Sequence, residues 1–446
     1  MASHRRADGW ACAFAAFGAF AAAPGVATAV PSFATQTGMP CASCHVGGFG
    51  PQLTPFGRDF KLKGYTLRSG GFTVPFSAMA VASYIRTQKD QPGPPPPHYS
   101  VNDNVTLDQA SLFIAGGVGH FGAFIQTTYD GVARAFHWDN LDVRATTTAK
   151  LGRTSIVAGL TVNNAPTVQD PFNTLPAWGF PYTTSSLAPE TAASPLIGSL
   201  AQSTLGLTAY TWINSSIYVE AGGYTSPSAL FLTRAGVDPT DPGNINGVAP
   251  YARVAYLHDF GQQNIQVGAF GLKADIYPGH DETVALTDHY TDLGLDASYQ
   301  HFGANKDAIT VNARYTHEDQ GLYASQALGL STSSHLHLQD IRLDASYYWR
   351  DEIGFTVGAF DTWGPPDALL YAGNRTFSPG NSGVMFQIDG TPFGAGNSPF
   401  GKRFNVRSGI QYTHYFTFDG AAHDFDGAGR NAGDDDSVRV FTWIAY

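Results

Sequence analysis

From residue 75 to the C-terminus, apolar and polar residues alternate with period two in segments of about ten residues, separated by turn-forming clusters. In 292–300, Leu293, Leu295, Ala297 and Tyr299 fall on one face, and Asp292, Gly294, Asp296, Ser298 and Gln300 on the other. In 338–349, Ile341, Leu343, Ala345, Tyr347 and Trp349 oppose Asp340, Arg342, Asp344, Ser346 and Tyr348. Residues 309–316 and 404–413 repeat the pattern, with Arg314 and Arg407 on the polar faces. The alternation predicts about sixteen strands, near 76–88, 105–116, 120–129, 139–149, 154–163, 203–213, 216–225, 250–259, 263–273, 290–300, 308–316, 337–349, 352–362, 382–389, 403–416 and 437–446.

The connections also alternate, tight at 116–119, 150–153, 214–215 and 350–351, and long at 89–104, 164–202, 226–249, 274–289, 317–336 and 417–436. One join, 390–402, is longer than this scheme wants, which makes the neighbouring strand the least secure. A soluble β-sandwich alternates too, but rarely sets charges repeatedly on one face of strands this long. A water-filled lumen accounts for the charged face and lipid for the apolar one. The chain closes on Val438, Val440, Thr442, Ile444 and Tyr446, an outward face ending in an aromatic. The expected fold is therefore all-β: a transmembrane outer-membrane barrel of about sixteen strands with an open lumen. A soluble exported β protein is the rival.

Composition sharpens this picture. Charged residues are only 14% while Gly reaches 50, the profile of strands and turns rather than solvated helices. A net charge of -11 argues against nucleic acid as a partner and for cationic ones. Residues 1–29 read as a removable signal peptide, with Arg5 and Arg6, an apolar stretch from Trp10 to Ala23, and an Ala27-Thr28-Ala29 cleavage site. Outside that segment no apolar run is long enough for a membrane helix.

Between signal and barrel lies a distinct piece, residues 30–74, carrying Cys41-Ala42-Ser43-Cys44-His45. Cys-x-x-Cys-His is the attachment sequence of a c-type haem. Two thiols three residues apart reach the two vinyl groups on one edge of the ring, and the following His is held beneath the iron as axial ligand. A redox or structural disulfide, or half of a zinc site, are the alternatives. The expected cofactor is one covalent haem c on Cys41 and Cys44, with His45 on the iron. Thr54-Pro55 signals a helix start and Gly64 its end. Phe56 and Phe60 share a helix face suited to a porphyrin. Arg58 and Lys61 on that helix are candidates for the haem propionates or for lumen acids. No second His occurs from 46 to 97, so Met79 is the best candidate among the methionines for a distal ligand. About 45 residues cannot bury a haem alone, so the piece is expected to enter the lumen as a plug. The Pro-rich stretch 164–202 is expected to fold over or into the pore. Asp434, Asp435 and Asp436, with Asp281 and Glu318, are expected in outward-facing loops that concentrate cations.

The chain resembles the outer-membrane monohaem cytochrome–porin fusions associated with iron(II) oxidation. The likeness rests on 31–39 leading into Cys41-x-x-Cys44-His45, then Leu53-Thr54-Pro55-Phe56-Gly57-Arg58, Phe60-Lys61-Leu62 and Gly64-Tyr65, followed by the barrel 75–446. The resemblance implies an electron conduit in the outer membrane rather than a pocket enzyme, its haem taking electrons from extracellular Fe(II) or another reductant and passing them to a periplasmic acceptor cytochrome. A transport porin with a structural haem plug and an outward-directed extracellular reductase are the rival readings.

Overall fold

The computed structural model describes residues 32–71, 75–401 and 403–446. The expected signal peptide lies outside the described residues. The strands are β1 (Phe76–Thr87), β2 (Asn104–Val118), β3 (Phe121–Asp130), β4 (Ala135–Leu151), β5 (Thr154–Asn163), β6 (Leu205–Ile213), β7 (Ile217–Thr225) and β8 (Ala249–Phe260). They continue as β9 (Gln263–Tyr277), β10 (Asp288–Phe302), β11 (Ala308–Gly321), β12 (His335–Trp349), β13 (Ile353–Trp363), β14 (Asn381–Gly390), β15 (Asn405–Thr417) and β16 (Ser437–Ala445). Each pairs antiparallel with its sequence neighbours, and β1 pairs with both β2 and β16, so the sheet closes into a sixteen-stranded barrel. A two-residue bridge, Asn244–Ile245, adds to the end of β9. All sixteen expected strands are present, including the insecure one, β14.

The barrel is apolar outside and polar inside. On β10, Leu293 and Leu295 are 58% and 63% exposed, while Asp292 and Asp296 are 0% and 5% exposed. The same inversion recurs around the wall, with Leu112, Leu207, Val254, Leu343, Phe355, Ile388 and Ile410 exposed and Arg144, Arg253 and Arg407 buried. Burying charge is tolerable only when it is paired. Arg144 pairs with Asp142 at 2.8 Å, Arg253 with Asp296 at 2.7 Å and Arg407 with Asp389 at 2.8 Å. An exterior of this kind, on a wall with no free edge, is that of a membrane-spanning barrel.

Connections at the end where β1 starts and β16 finishes are short, except for 391–404 between β14 and β15. That exception has a packing reason. Its Gly394 lies against Gly48 of the N-terminal piece and its Gly396 against Pro40, so the long turn covers the Cys-x-x-Cys-His segment. At the opposite end, the connections from 88–103 through 418–436 hold fifteen Asp and Glu against five Lys and Arg. These connections are acidic, but four of the five named acids behave otherwise. Asp434 pairs with Lys89 and Asp435 with Arg430, while Asp436 accepts from His414. Glu318 lies on β11, buried and facing inward, where it accepts the Leu196 backbone N–H. Asp281 remains an exposed loop carboxylate with no ion-pair partner among the described residues, unlike the Asp434–Asp436 run.

The long connection 164–204 folds into the lumen, as its length and prolines suggest. Its Thr174 hydroxyl donates to Asp296 at 2.7 Å, and its Ile197 N–H to Asp292 at 2.7 Å. Buried lumen acids thereby satisfy a loop that would otherwise hold orphan polar groups.

Candidate functional site

The N-terminal piece sits inside the barrel. It comprises helix α1 (Ser32–Thr37), 3₁₀ turns at Cys41–Ser43 and Val46–Gly48, and helix α2 (Pro55–Leu62). Thr54 caps α2, its Oγ1 accepting the Gly57 N–H at 3.1 Å and donating to the Ser43 carbonyl at 2.7 Å. The Thr54 N–H in turn donates to the Cys44 carbonyl at 2.9 Å. Gly57 lies directly on that carbonyl, where no side chain fits. The Leu-Thr-Pro-Phe-Gly stretch is thus a clamp that fixes α2 against the Cys-x-x-Cys-His turn.

The wall holds this unit from several sides. The Arg407 guanidinium donates to the Phe49 carbonyl at 2.8 Å and Asn405 to the Gly48 carbonyl at 3.0 Å. Arg58 donates to Gln300 at 2.6 Å, and the Tyr65 hydroxyl to Asp142 at 2.6 Å. Arg144 reaches both the Lys61 carbonyl at 3.2 Å and the Gln169 carbonyl of the folded-in loop at 2.7 Å. Lys61 donates to the Val168 and Asp170 carbonyls at 2.7 and 2.8 Å and sits over the Trp178 ring. Plug, loop and wall therefore share one buried polar network.

Between them lies a cavity of about 350 Å³. Cys41, Cys44, His45 and Met79 all line it, so the structure brings the expected attachment residues and the candidate distal Met to one space. Lys61 lines it too, though its ammonium is spent on loop carbonyls, whereas Arg58 points to the wall and is not among the lining residues. Phe60 lines the cavity but Phe56 does not. Phe33 and Tyr65 take its place, stacked 5.0 Å apart, with Phe33 edge-on to Phe60 at 5.1 Å. Phe113, Phe124, Trp178 and Trp443 complete the apolar lining. A polar end, Gln109, Gln126, Asp139 and Asn140, comes from the wall, and the strand alternation alone gave no sign of it.

Cys41 and Cys44 are free thiols, not a disulfide. Burial raises both pKa values, that of Cys44 to about 12. Burial lowers His45 to about 4 against the opposing pull of the Gly50 and Gln52 backbone, so the imidazole is neutral, as a metal ligand must be. Its Nδ1 is buried without a hydrogen-bond partner. Among the described residues no group of three or more His, Cys, Asp or Glu is placed to hold a bare metal ion, so the zinc alternative finds no further ligands there. Two free thiols and a neutral imidazole on one aromatic-lined cavity fit a covalent haem. Met79 Sδ accepts the Trp443 indole N–H at 3.1 Å, and any ligation by Met79 has to compete with that bond.

No family model matches the chain, and no curated protein matches it. Solved structures similar to it include the outer-membrane protein OmpT of Vibrio cholerae, at 11% identity over 85% of this chain and 99% of that one, TM-score 0.45. The anion-selective porin of Comamonas acidovorans matches at 13% identity over 83% of this chain and 98% of that one, TM-score 0.44. The outer-membrane channel DcaP of Acinetobacter baumannii matches at 10% identity over 83% and 96%, TM-score 0.45.

Proposed function

We propose that this chain is an outer-membrane electron conduit whose lumen holds one c-type haem, attached through Cys41 and Cys44 with His45 as the iron's axial ligand. The observation that carries the reading is the meeting of those three residues on one cavity inside a membrane-spanning barrel. Such a haem, when bound, supplies reversible one-electron transfer. The chain's own residues do the rest. Thr54 and Gly57 hold the attachment turn, while Phe33, Phe60, Tyr65 and Trp178 keep the cavity apolar. The loop 164–204 folds into the lumen beside it. The acidic outer connections raise the local concentration of a cationic donor such as Fe(II). Electrons would then pass to a periplasmic acceptor cytochrome, or, in the outward-directed reading, arrive from one.

A second reading, a transport porin with a structural plug, is favoured by the barrel itself and by another luminal cavity. That cavity, of about 420 Å³, lies between the folded-in loop and Arg314, Asp340, Arg342 and Asp344, a polar space suited to solutes. Anaerobic addition of ferrous iron to oxidised protein in detergent, beside solute flux into liposomes, separates the two. The conduit predicts reduced haem bands and little flux. Unchanged bands at neutral and acidic pH, with flux that does not depend on the haem, decide for the porin.

A further inference from the structure

Two strand pairs at the cavity wall are irregular, β1 with β2 beside Gln109 and β3 with β4, and the second brings a carboxylate to the cavity. Across β3 and β4 the register runs Ile125 to Leu141 and then Thr127 to Trp138, so two steps on β3 oppose three on β4. This is a β-bulge, the device by which a strand re-aims a side chain. Its consequence is that two consecutive residues, Asp139 and Asn140, both line the cavity that holds Cys41, Cys44 and His45. In a regular strand one of them would face lipid.

The carboxylate so placed has no cation of its own. Thr128 Oγ1 donates to it at 2.7 Å, Asn140 Nδ2 at 3.1 Å and Gln202 Nε2 at 3.2 Å, all neutral donors. Of the lumen's other acids, Asp142, Asp296 and Asp389 are paired with arginine, and the unpaired Glu220, Asp292, Glu318 and Asp344 do not line this cavity. From β3 the neighbours Gln126 and Thr128 are neutral, as is Gln202 from the folded-in loop. On its own strand the nearest titratable group is His137. Across the cavity stand Lys61, Tyr65, His45, Cys41 and Cys44 from the plug and Tyr182 from the loop. Asp139 keeps some accessible surface.

We propose that Asp139 is a redox-linked proton site: it takes up one proton from solvent for each electron the cavity gains and releases it when the electron leaves. This rests on the haem reading above. Charge and proton balance, since one electron and one proton enter together and the reductant is the one-electron donor of the proposed function. The physical cause is Coulombic. An added negative charge in a water-poor cavity favours the protonated form of the nearest uncompensated carboxyl.

The test is the reduction potential of the haem-loaded full chain in detergent, measured against pH. The wild type should lose up to about 59 mV for each tenfold fall in proton concentration across the titration of the site. Asp139→Asn should flatten that slope, and His137→Gln should keep it. Redox-difference infrared spectra of the wild type should show a protonated carboxyl that is missing in Asp139→Asn. A flat wild-type profile, a slope kept in Asp139→Asn, or a slope lost in His137→Gln overturns the inference while leaving the haem in place. A chain that carries no haem overturns the underlying reading, and the inference falls with it.

Discussion

Gly57 lies so close to Cys44 that a Cβ at residue 57 would fall on the Cys44 carbonyl oxygen. The relationship ties α2 to the attachment turn with no room for adjustment on the backbone side. Gly57→Ala is expected to cost about 1–3 kcal/mol of plug packing. The barrel, whose strands do not touch this contact, should still form. Haem content and protease resistance of residues 32–71 should fall, while heat-modifiable gel mobility persists. Normal haem content in that variant would count against the clamp.

Arg144 joins wall, plug and loop, and its partner Asp142 is fully buried beside it. Arg144→Met leaves that carboxylate without its ion-pair partner, a change that typically costs about 3–5 kcal/mol. Limited proteolysis should then cut both the plug and the loop 164–204. Arg144→Met with Asp142→Asn should recover much of the loss, because the stranded charge is removed. Equal sensitivity of single and double variants would mean that the pair does not seat the plug.

The sixteen strands were legible because a two-sided environment writes itself as period two, and Leu293, Asp292 and Asp296 fall where the alternation puts them. The attachment residues were legible because their chemistry demands fixed spacing. What the sequence hid was set by distant packing. Phe33 displaces Phe56 at the cavity because the fold of 32–65 brings α1 back across α2. The 391–404 turn is long because Gly48 and Pro40 lie beneath it, a contact across more than three hundred residues. The β4 bulge breaks the very alternation used to find strands, so Asp139 and Asn140 could not be placed. Glu318 read as a loop acid only because β11 runs to Gly321, further than the pattern at 308–316 suggested.

The lipid face gives a third prediction. Leu295 is exposed on β10 while its neighbour Asp296 faces the lumen. Leu295→Arg should lower folding stability in lipid vesicles by up to about 2–4 kcal/mol if it lies near the bilayer midplane. Leu295→Ile should be near neutral. Urea titration of the vesicle-inserted barrel checks this, and a neutral Leu295→Arg would place β10 away from lipid.

Met79 and Met39 both line the cavity, but Met39 is two residues from Cys41 whereas Met79 comes from the wall. If haem is held by Cys41, Cys44 and His45, a second ligand would have to come from outside the attachment turn, as Met79 on β1 would. Met79→Leu is therefore expected to change the visible spectrum and potential of the loaded protein, and Met39→Leu to leave both nearly unchanged. The reverse pattern, or silence in both, would remove Met79 as the distal ligand.

The central claim is that Cys41 and Cys44 bind haem covalently within the barrel. It is tested most directly by expressing the full chain in cells that attach c-type haem, isolating the outer membrane, and staining a denaturing gel for haem peroxidase activity. The account predicts a stained band that shifts with heating as a barrel does, and loss of the stain in Cys41→Ala with Cys44→Ala while the heat-shifted band remains. A wild-type band that never stains, or a stain that survives the double substitution, would contradict it.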